Sequence, residues 1–225
     1  MMTMEQPEQP ELSPLTIDGP PWEKKHELGF FVAFIETIKG FLLRPANTFS
    51  VMRRKAGIAD ALVYTVAIQV FTFLWMFAIT DTTPEMLLPQ SPEFQDLFQV
   101  PENFGQKLVM LYPLTIILLQ FLVAYAFHLA LSWRNLQNYD FSLIFRMVAY
   151  TSGTAAVLSL IPIAGGLLSI LMTIYIGYIG FRTIYALDPG SFTITTIMAI
   201  FVTLGLYIMV AVALTVTILI LSLIL

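Results

Sequence analysis

The chain contains no cysteine, which excludes disulfides, thiolate metal sites and cysteine nucleophiles and leaves the redox compartment open. Charge is scarce as well: 12% of residues are Asp, Glu, Lys or Arg, about half the share found in ordinary soluble domains. Lys+Arg 11 against Asp+Glu 15 gives a net charge of −4, so there is no basic footprint for nucleic acid. No Walker loop, His-Glu-x-x-His pair, dinucleotide glycine fingerprint or nucleophile elbow occurs. The reading is therefore non-enzymatic and without cofactor. There are only two histidines. His26, beside Glu23 and Glu27, is a weak metal candidate outweighed by its reading as part of a solvated tail. What the chain has in excess is apolar surface: 57% hydrophobic residues among 225 and a mean hydropathy of +0.79, more than a core of this size can hide from water. It must face lipid.

Three regions follow from the distribution of these residues. Residues 1–28 interleave Pro7, Pro10, Pro14, Pro20 and Pro21 with Glu5, Glu8, Glu11 and Asp18, the composition of a disordered cytoplasmic tail. No basic start followed by a short apolar core opens it, so no secretory signal peptide is expected. Residues 29–56 form interfacial amphipathic helices. In Gly29 to Leu43, Phe31, Phe34, Ile38, Phe41 and Leu42 recur at helical spacing, with Glu36, Lys39 and Gly40 opposite. This run is shorter than the roughly 20 residues a crossing needs and carries charge mid-run, so it is placed flat in the headgroup region. A second short helix follows, from Pro45 to Arg54. Residues 57–225 contain five apolar runs of spanning length, about 59–80, 108–133, 141–160, 163–186 and 192–225. The third and fourth are parted by Ile161 and Pro162, with Gly165 and Gly166 just beyond, which is the chemistry of a tight hairpin. The expected fold class is an all-α membrane protein with five transmembrane helices behind interfacial amphipathic helices.

Basic residues orient it. With a cytoplasmic N-terminus, one side collects Lys24, Lys25, Lys39, Arg44, Arg53, Arg54, Lys55, Arg134, Arg146 and Arg182, leaving only Lys107 opposite. The opposite loop, Asp81 to Gln106, is acidic, and Phe94, Leu97 and Phe98 in it are candidates for a short surface helix. The C-terminus is expected outside.

Ionisable residues within spans are functional candidates by default. His128, Arg146 and Arg182 each lie four to five residues from a cytoplasmic helix end, roughly 6–8 Å deep at the helical rise. Asp60 is the nearest anionic partner. Together they are the candidate for a polar vestibule binding an anionic lipid headgroup or a phosphate-bearing ligand. The alternative is that both arginines snorkel to the interface and His128 bonds a neighbouring helix. Gln69 and Gln120, near mid-span, are expected to pair between helices. Small-residue strips at Gly153, Thr154, Ala155 and Ala156, and at Gly165, Gly166, Ser169 and Thr173, support close helix packing or self-association.

The run Pro21-Trp22-Glu23, then GFFVAFIETIKGFLLRPANTFSVM, then five spans around FRMVAYTSGTAAVLSLIPIAGGLLSI, resembles the bacterial branch of the Yip domain family (Ypt-interacting protein one). Thr37, Lys39, Pro45, Phe49 and Met52 carry a T-x-K…P-x-x-x-F-x-x-M interfacial element, and Tyr150, Pro162 and Gly165 carry the hairpin. The resemblance implies a cytosolic N-terminus, five helices and, for a bacterial member, the inner membrane. Eukaryotic members bind Rab-type GTPases, but the chain lacks their Asp-Leu-Tyr-Gly-Pro signature, so no Rab-type partner is carried over. The zinc ribbon of some bacterial relatives has no cysteines here. Two functions are weighed: a membrane organiser or scaffold whose Lys24, Lys25, Arg44, Arg53, Arg54 and Lys55 hold anionic lipid, or a transporter or channel for a small or lipidic anionic solute.

Overall fold

Where lipid offers no hydrogen bonds, an apolar run satisfies its backbone only as a helix. The chain follows that rule throughout the residues described by its computed structural model, 19–80, 104–136 and 140–224. A 3-10 turn, Pro21–Lys24, leads into α1 (Lys25–Leu28), α2 (Phe30–Leu43) and α3 (Pro45–Ser50). Five long helices follow: α4 (Ala59–Thr80), α5 (Phe104–Trp133), α6 (Phe141–Ala156, continued by a 3-10 turn, Val157–Leu160), α7 (Gly165–Tyr185) and α8 (Pro189–Ile224). No strand occurs among the described residues. Each of the five is long and apolar enough to cross a membrane. The sequence expectations for residues 1–18 and for most of the Asp81 to Gln106 loop lie outside the described residues.

The third span is the centre of the bundle, with 61% of its residues buried against 11–33% in the other four. It packs against α4, α5 and α7, so it meets protein on nearly every side. That position explains its sequence: Arg146, Tyr150, Thr151, Ser152 and Thr154 are affordable on a helix that scarcely touches lipid. The outer helices turn Phe71, Leu118, Ile170, Phe201 and Leu204 outwards, as a lipid-facing surface requires. At Gly153 α6 meets α4 so closely that a Cβ would stand 2.9 Å from the Thr65 Cα. Tyr64 and Thr154 share a hydrogen bond of 2.8 Å beside it. Gly153→Val is expected to force the two helices apart and cost about 1–3 kcal/mol, read as a lower unfolding midpoint in mild detergent.

The hairpin turns through Ile161–Ala164, with Ile163 fully exposed and in the left-handed region at φ 68°, a rare conformation for a β-branched residue. Gly165 is required, because a Cβ would collide with the Leu158 carbonyl oxygen, whereas Gly166 faces open space. At the other end, Arg134 joins the close of α5 to the start of α8, donating to the Ser191 carbonyl (2.6 Å) and to Thr195 Oγ1 (2.8 Å).

One expectation is corrected here. Residues from Pro20 to Leu28 are not tail: the Trp22 side chain is fully buried and belongs to the main core. The local Pro and Glu content pointed to disorder, but the partners that order this segment lie far along the chain. The apolar face of α2 holds except at its start: Phe34, Ile38, Phe41 and Leu42 pack on the core, while Phe31 is exposed. Ala33, Thr37 and Phe41 face the core, while Phe31, Val32, Ile35 and Leu43 are exposed. Gly40 admits α3, since a Cβ there would stand 2.9 Å from Thr48 Oγ1.

Candidate functional site

A buried cluster of charge and aromatic rings closes the end of the bundle that carries the N-terminal segment. Arg146, one and a half turns into α6, is entirely buried, and its guanidinium donates through Nε (3.0 Å) and Nη2 to Glu23 Oε1. Its Nη1 donates to the Arg53 carbonyl at 2.6 Å, and the Tyr150 hydroxyl donates to the same Glu23 oxygen at 3.1 Å. An arginine suits this place because its planar donors satisfy a carboxylate and a carbonyl at once. The Glu23 side chain is 7% exposed, so both charges have left solvent and each depends on the other.

The segment around Glu23 is held by matching bonds. Trp22 N–H donates to Thr37 Oγ1 and its indole Nε1 to the Asp60 carbonyl, both at 2.7 Å. Lys25 pairs with the Asp60 carboxylate and lies 5.2 Å from the Trp22 ring. Gly19 N–H, in turn, donates to the Val51 carbonyl at 2.9 Å. The Trp22 ring packs against Phe30, Phe34 and Tyr64, and Phe41 stacks on Tyr150 at 5.2 Å.

The four residues of the expected vestibule are thus distributed among different partners. Arg146 neither snorkels nor faces a vestibule; it is consumed by Glu23. Asp60 pairs with Lys25 instead. His128 lies edge-on to Phe141 at 5.8 Å and beside Tyr125. Arg182 is exposed in a separate cleft of about 460 Å³ with Tyr178 and Asp188. Ser191, through its hydroxyl and then its backbone N–H, holds the Asp188 carboxyl below the usual range, the N–H lying 3.1 Å from Oδ2. Common depth does not bring the four together, because they project from their helices in different directions.

The interfacial element is divided between core and surface. Thr37, Pro45, Phe49 and Met52 are buried, the Phe49 ring occupying the place a Cβ on Gly180 would take. Lys39 is exposed and pairs with Glu36 at 2.9 Å. Lys39 and Arg44, with Asn47 and Thr48, line a surface groove of about 490 Å³ at the α2–α3 corner.

Gln69 and Gln120 do not bond each other directly. Gln69 Nε2 donates to Thr65 Oγ1 (3.1 Å), Thr65 and Ser152 share a bond of 3.3 Å, and Gln120 Nε2 donates to Ser152 Oγ at 2.8 Å. The central helix supplies the bridge. Both glutamines line a cavity of about 350 Å³ between α5, α6, α7 and α8.

Sequence reasoning named Trp22 and Glu23 within a motif, gave Lys25 to anionic lipid and used Arg134 only for orientation; it missed that they staple the N-terminal segment and tie α5 to α8. The available signal was an arginine inside a span, which requires a carboxylate; Asp60 at the start of the first span was the acid in view, but it pairs with Lys25 and the acid that answers is Glu23, ahead of all five spans. Among the described residues, no group of three or more His, Asp or Glu is placed to hold a metal.

Four apolar helices around a polar central span, entered through a stapled amphipathic segment, define a multi-pass α-helical membrane protein. The family model of the Yip1 domain matches residues 39–224, and the chain belongs to that family. The Trp22–Glu23 staple precedes the matched region. No curated protein and no solved structure matches the chain.

Proposed function

We propose that this protein is a non-enzymatic organiser of a bacterial inner membrane, with its N-terminus and the α2–α3 segment on the cytoplasmic leaflet, its C-terminus external, and anionic lipid headgroups as its partners. The observation that carries the reading is the outer surface of one end of the bundle. There α2 exposes Phe31, Val32, Ile35 and Leu43, and Arg44, Arg53 and Lys55 are exposed on the segment that follows. Apolar side chains that enter the interface beside basic ones that hold phosphate are the two components of leaflet binding. The excess of Lys and Arg on that side supports the orientation. That Arg146 is paired with Glu23, Asp60 with Lys25, and Arg182 lies in a separate cleft supports the organiser reading over an anion pathway. Helix contacts through Gly153 and Gly180 are already used within one chain, so self-association would have to use other surfaces.

In vesicles containing phosphatidylglycerol, the full chain is expected to move no solute or ion above empty vesicles. Combined Arg44→Glu, Arg53→Glu and Lys55→Glu is expected to reduce retained phosphatidylglycerol, each lost basic residue removing about 1 kcal/mol of surface attraction. Flux above the control, or unchanged lipid retention, would overturn the reading. A reporter placed after residue 225 and active in the cytoplasm would overturn the orientation.

A further inference from the structure

We propose that the cavity beside the central span is a binding site for an uncharged lipid bearing a free hydroxyl, of the diacylglycerol class. Its floor is formed by Gln120, Thr151 and Ser152, and two of its polar atoms lack partners. Ser152 donates to the Ala149 carbonyl at 3.3 Å and so accepts from Gln120 Nε2 at 2.8 Å. That fixes the amide with Oε1 turned away, and Oε1 is buried and unbonded on a residue 5% exposed. The Thr196 hydroxyl is the second. On the same helix Thr193, Thr195 and Thr203 each bond the carbonyl four residues back, the usual recourse of a helical threonine. Thr196 does not. One atom needs a donor, which a ligand hydroxyl supplies, and the other carries a proton to give, which an ester carbonyl of the same ligand accepts further along the cavity.

The chemistry of the walls selects the rest of the ligand. Among the described residues that line the cavity there is no Asp, Glu, Lys, Arg or His, so a phosphate or ammonium headgroup would be buried without a counter-charge. Phe127, Phe181 and Phe192 stack across one end, with Phe127 and Phe181 4.8 Å apart. Elsewhere α5 and α7 scarcely approach each other. Leu119, Ile174 and Ile200 line the cavity and are 44%, 55% and 60% exposed, so its mouth opens sideways towards hydrocarbon. At about 350 Å³ it is of ligand-site size and holds the hydroxyl end of a lipid whose chains extend through that mouth. This site is distinct from the basic surface proposed to bind headgroups, and either can fail without the other.

The test uses the full chain in phosphatidylcholine vesicles with trace diazirine-tagged diacylglycerol, its methyl ether, or phosphatidic acid of the same chains, with labelled peptides mapped by mass spectrometry. Diacylglycerol is expected to label the cavity about fivefold more than either analogue, the worth of one ordinary hydrogen bond. Gln120→Leu is expected to erase that preference, and Thr196→Val to lower labelling by diacylglycerol and its methyl ether alike. Gly177→Leu should abolish cavity labelling while the unfolding midpoint holds, since a Cβ there meets only Thr151 Cγ2 at 3.8 Å. If Gln120→Leu fails to fold, the preference of the unaltered chain for diacylglycerol over its methyl ether and the loss of labelling in Thr196→Val, a partly buried position, carry the comparison. Equal labelling by the three lipids would overturn the proposal. So would labelling no higher than on the outer helix faces, the result for a cavity holding only water, or labelling that survives Gly177→Leu.

Discussion

Arg146→Met is expected to destabilise the protein by about 3–5 kcal/mol, the cost of leaving one member of a buried ion pair without the other. Methionine fills much of the space but supplies none of the three donated bonds to Glu23 and the Arg53 carbonyl. Glu23 would then keep only the Tyr150 hydroxyl among its observed donors. Glu23→Gln should cost less, since its amide oxygen still accepts from Arg146 and Tyr150. The informative variant is the double one. Glu23→Leu with Arg146→Met removes both charges and is expected to recover most of the loss, because an apolar pair replaces a desolvated one at little net cost. Unfolding midpoints of the two single variants and the double in mild detergent give the coupling energy directly. Additive effects would mean that Arg146 and Glu23 act separately.

The second large effect is expected at Trp22. Trp22→Ala should cost about 3–5 kcal/mol, as for other large aromatic side chains removed from a core. It empties the space between Phe30, Phe34 and Tyr64 and deletes the indole bond to the Asp60 carbonyl. The loss should concentrate on one segment, because the tryptophan holds the N-terminal staple rather than a span. Limited proteolysis is therefore expected to cut between Gly19 and Gly29 in Trp22→Ala while the five spans stay folded. Trp22→Phe keeps most of the ring packing and should lose only about 1 kcal/mol with the indole hydrogen bond. Protection of that segment in Trp22→Ala would show that Glu23 and Lys25 suffice to hold it.

The two positions are linked through chemistry that a membrane makes demanding. Arg146 in the central span requires an acid, and Asp60, the acid that opens α4, is already paired with Lys25. The 3-10 turn at Pro21–Lys24 brings Glu23 from outside the bundle. Pro20 and Pro21 therefore have a structural use opposite to the one their composition suggested: they set the extended entry that lets Trp22 and Glu23 point inwards together. Seen along the chain, the same prolines are indistinguishable from those at Pro7, Pro10 and Pro14.

The five spans and the Ile161–Pro162 turn were legible because each rests on a local quantity. Length against bilayer thickness and backbone satisfaction within a single helix need no knowledge of neighbours. Family membership was legible for a related reason, since the Pro-x-x-x-Phe-x-x-Met element and the hairpin are contiguous patterns. The inward face of α2 was legible from its spacing at Phe34, Ile38, Phe41 and Leu42, and failed only at Phe31, which is surface. Sequence could estimate the shared depth of His128, Arg146 and Arg182 but not their azimuths. Gln69 and Gln120 were correctly marked as needing partners, yet their link runs through Ser152, whose identity as a bridge depends on α6 lying between α4 and α5.

By itself, then, the sequence determined that this protein lives in lipid, how often it crosses and on which end its basic residues gather, because hydropathy, helix length and charge placement act locally. Tertiary structure alone decided that Glu23 neutralises Arg146, that Trp22 is core, and that Gln120 and Thr196 line one cavity, each with a polar atom unbonded. Those outcomes depend on how five helices rotate about their axes when packed. Rotation is set by small residues and side-chain interlocking between distant segments, such as Gly153 against Thr65, and no contiguous stretch of sequence records it.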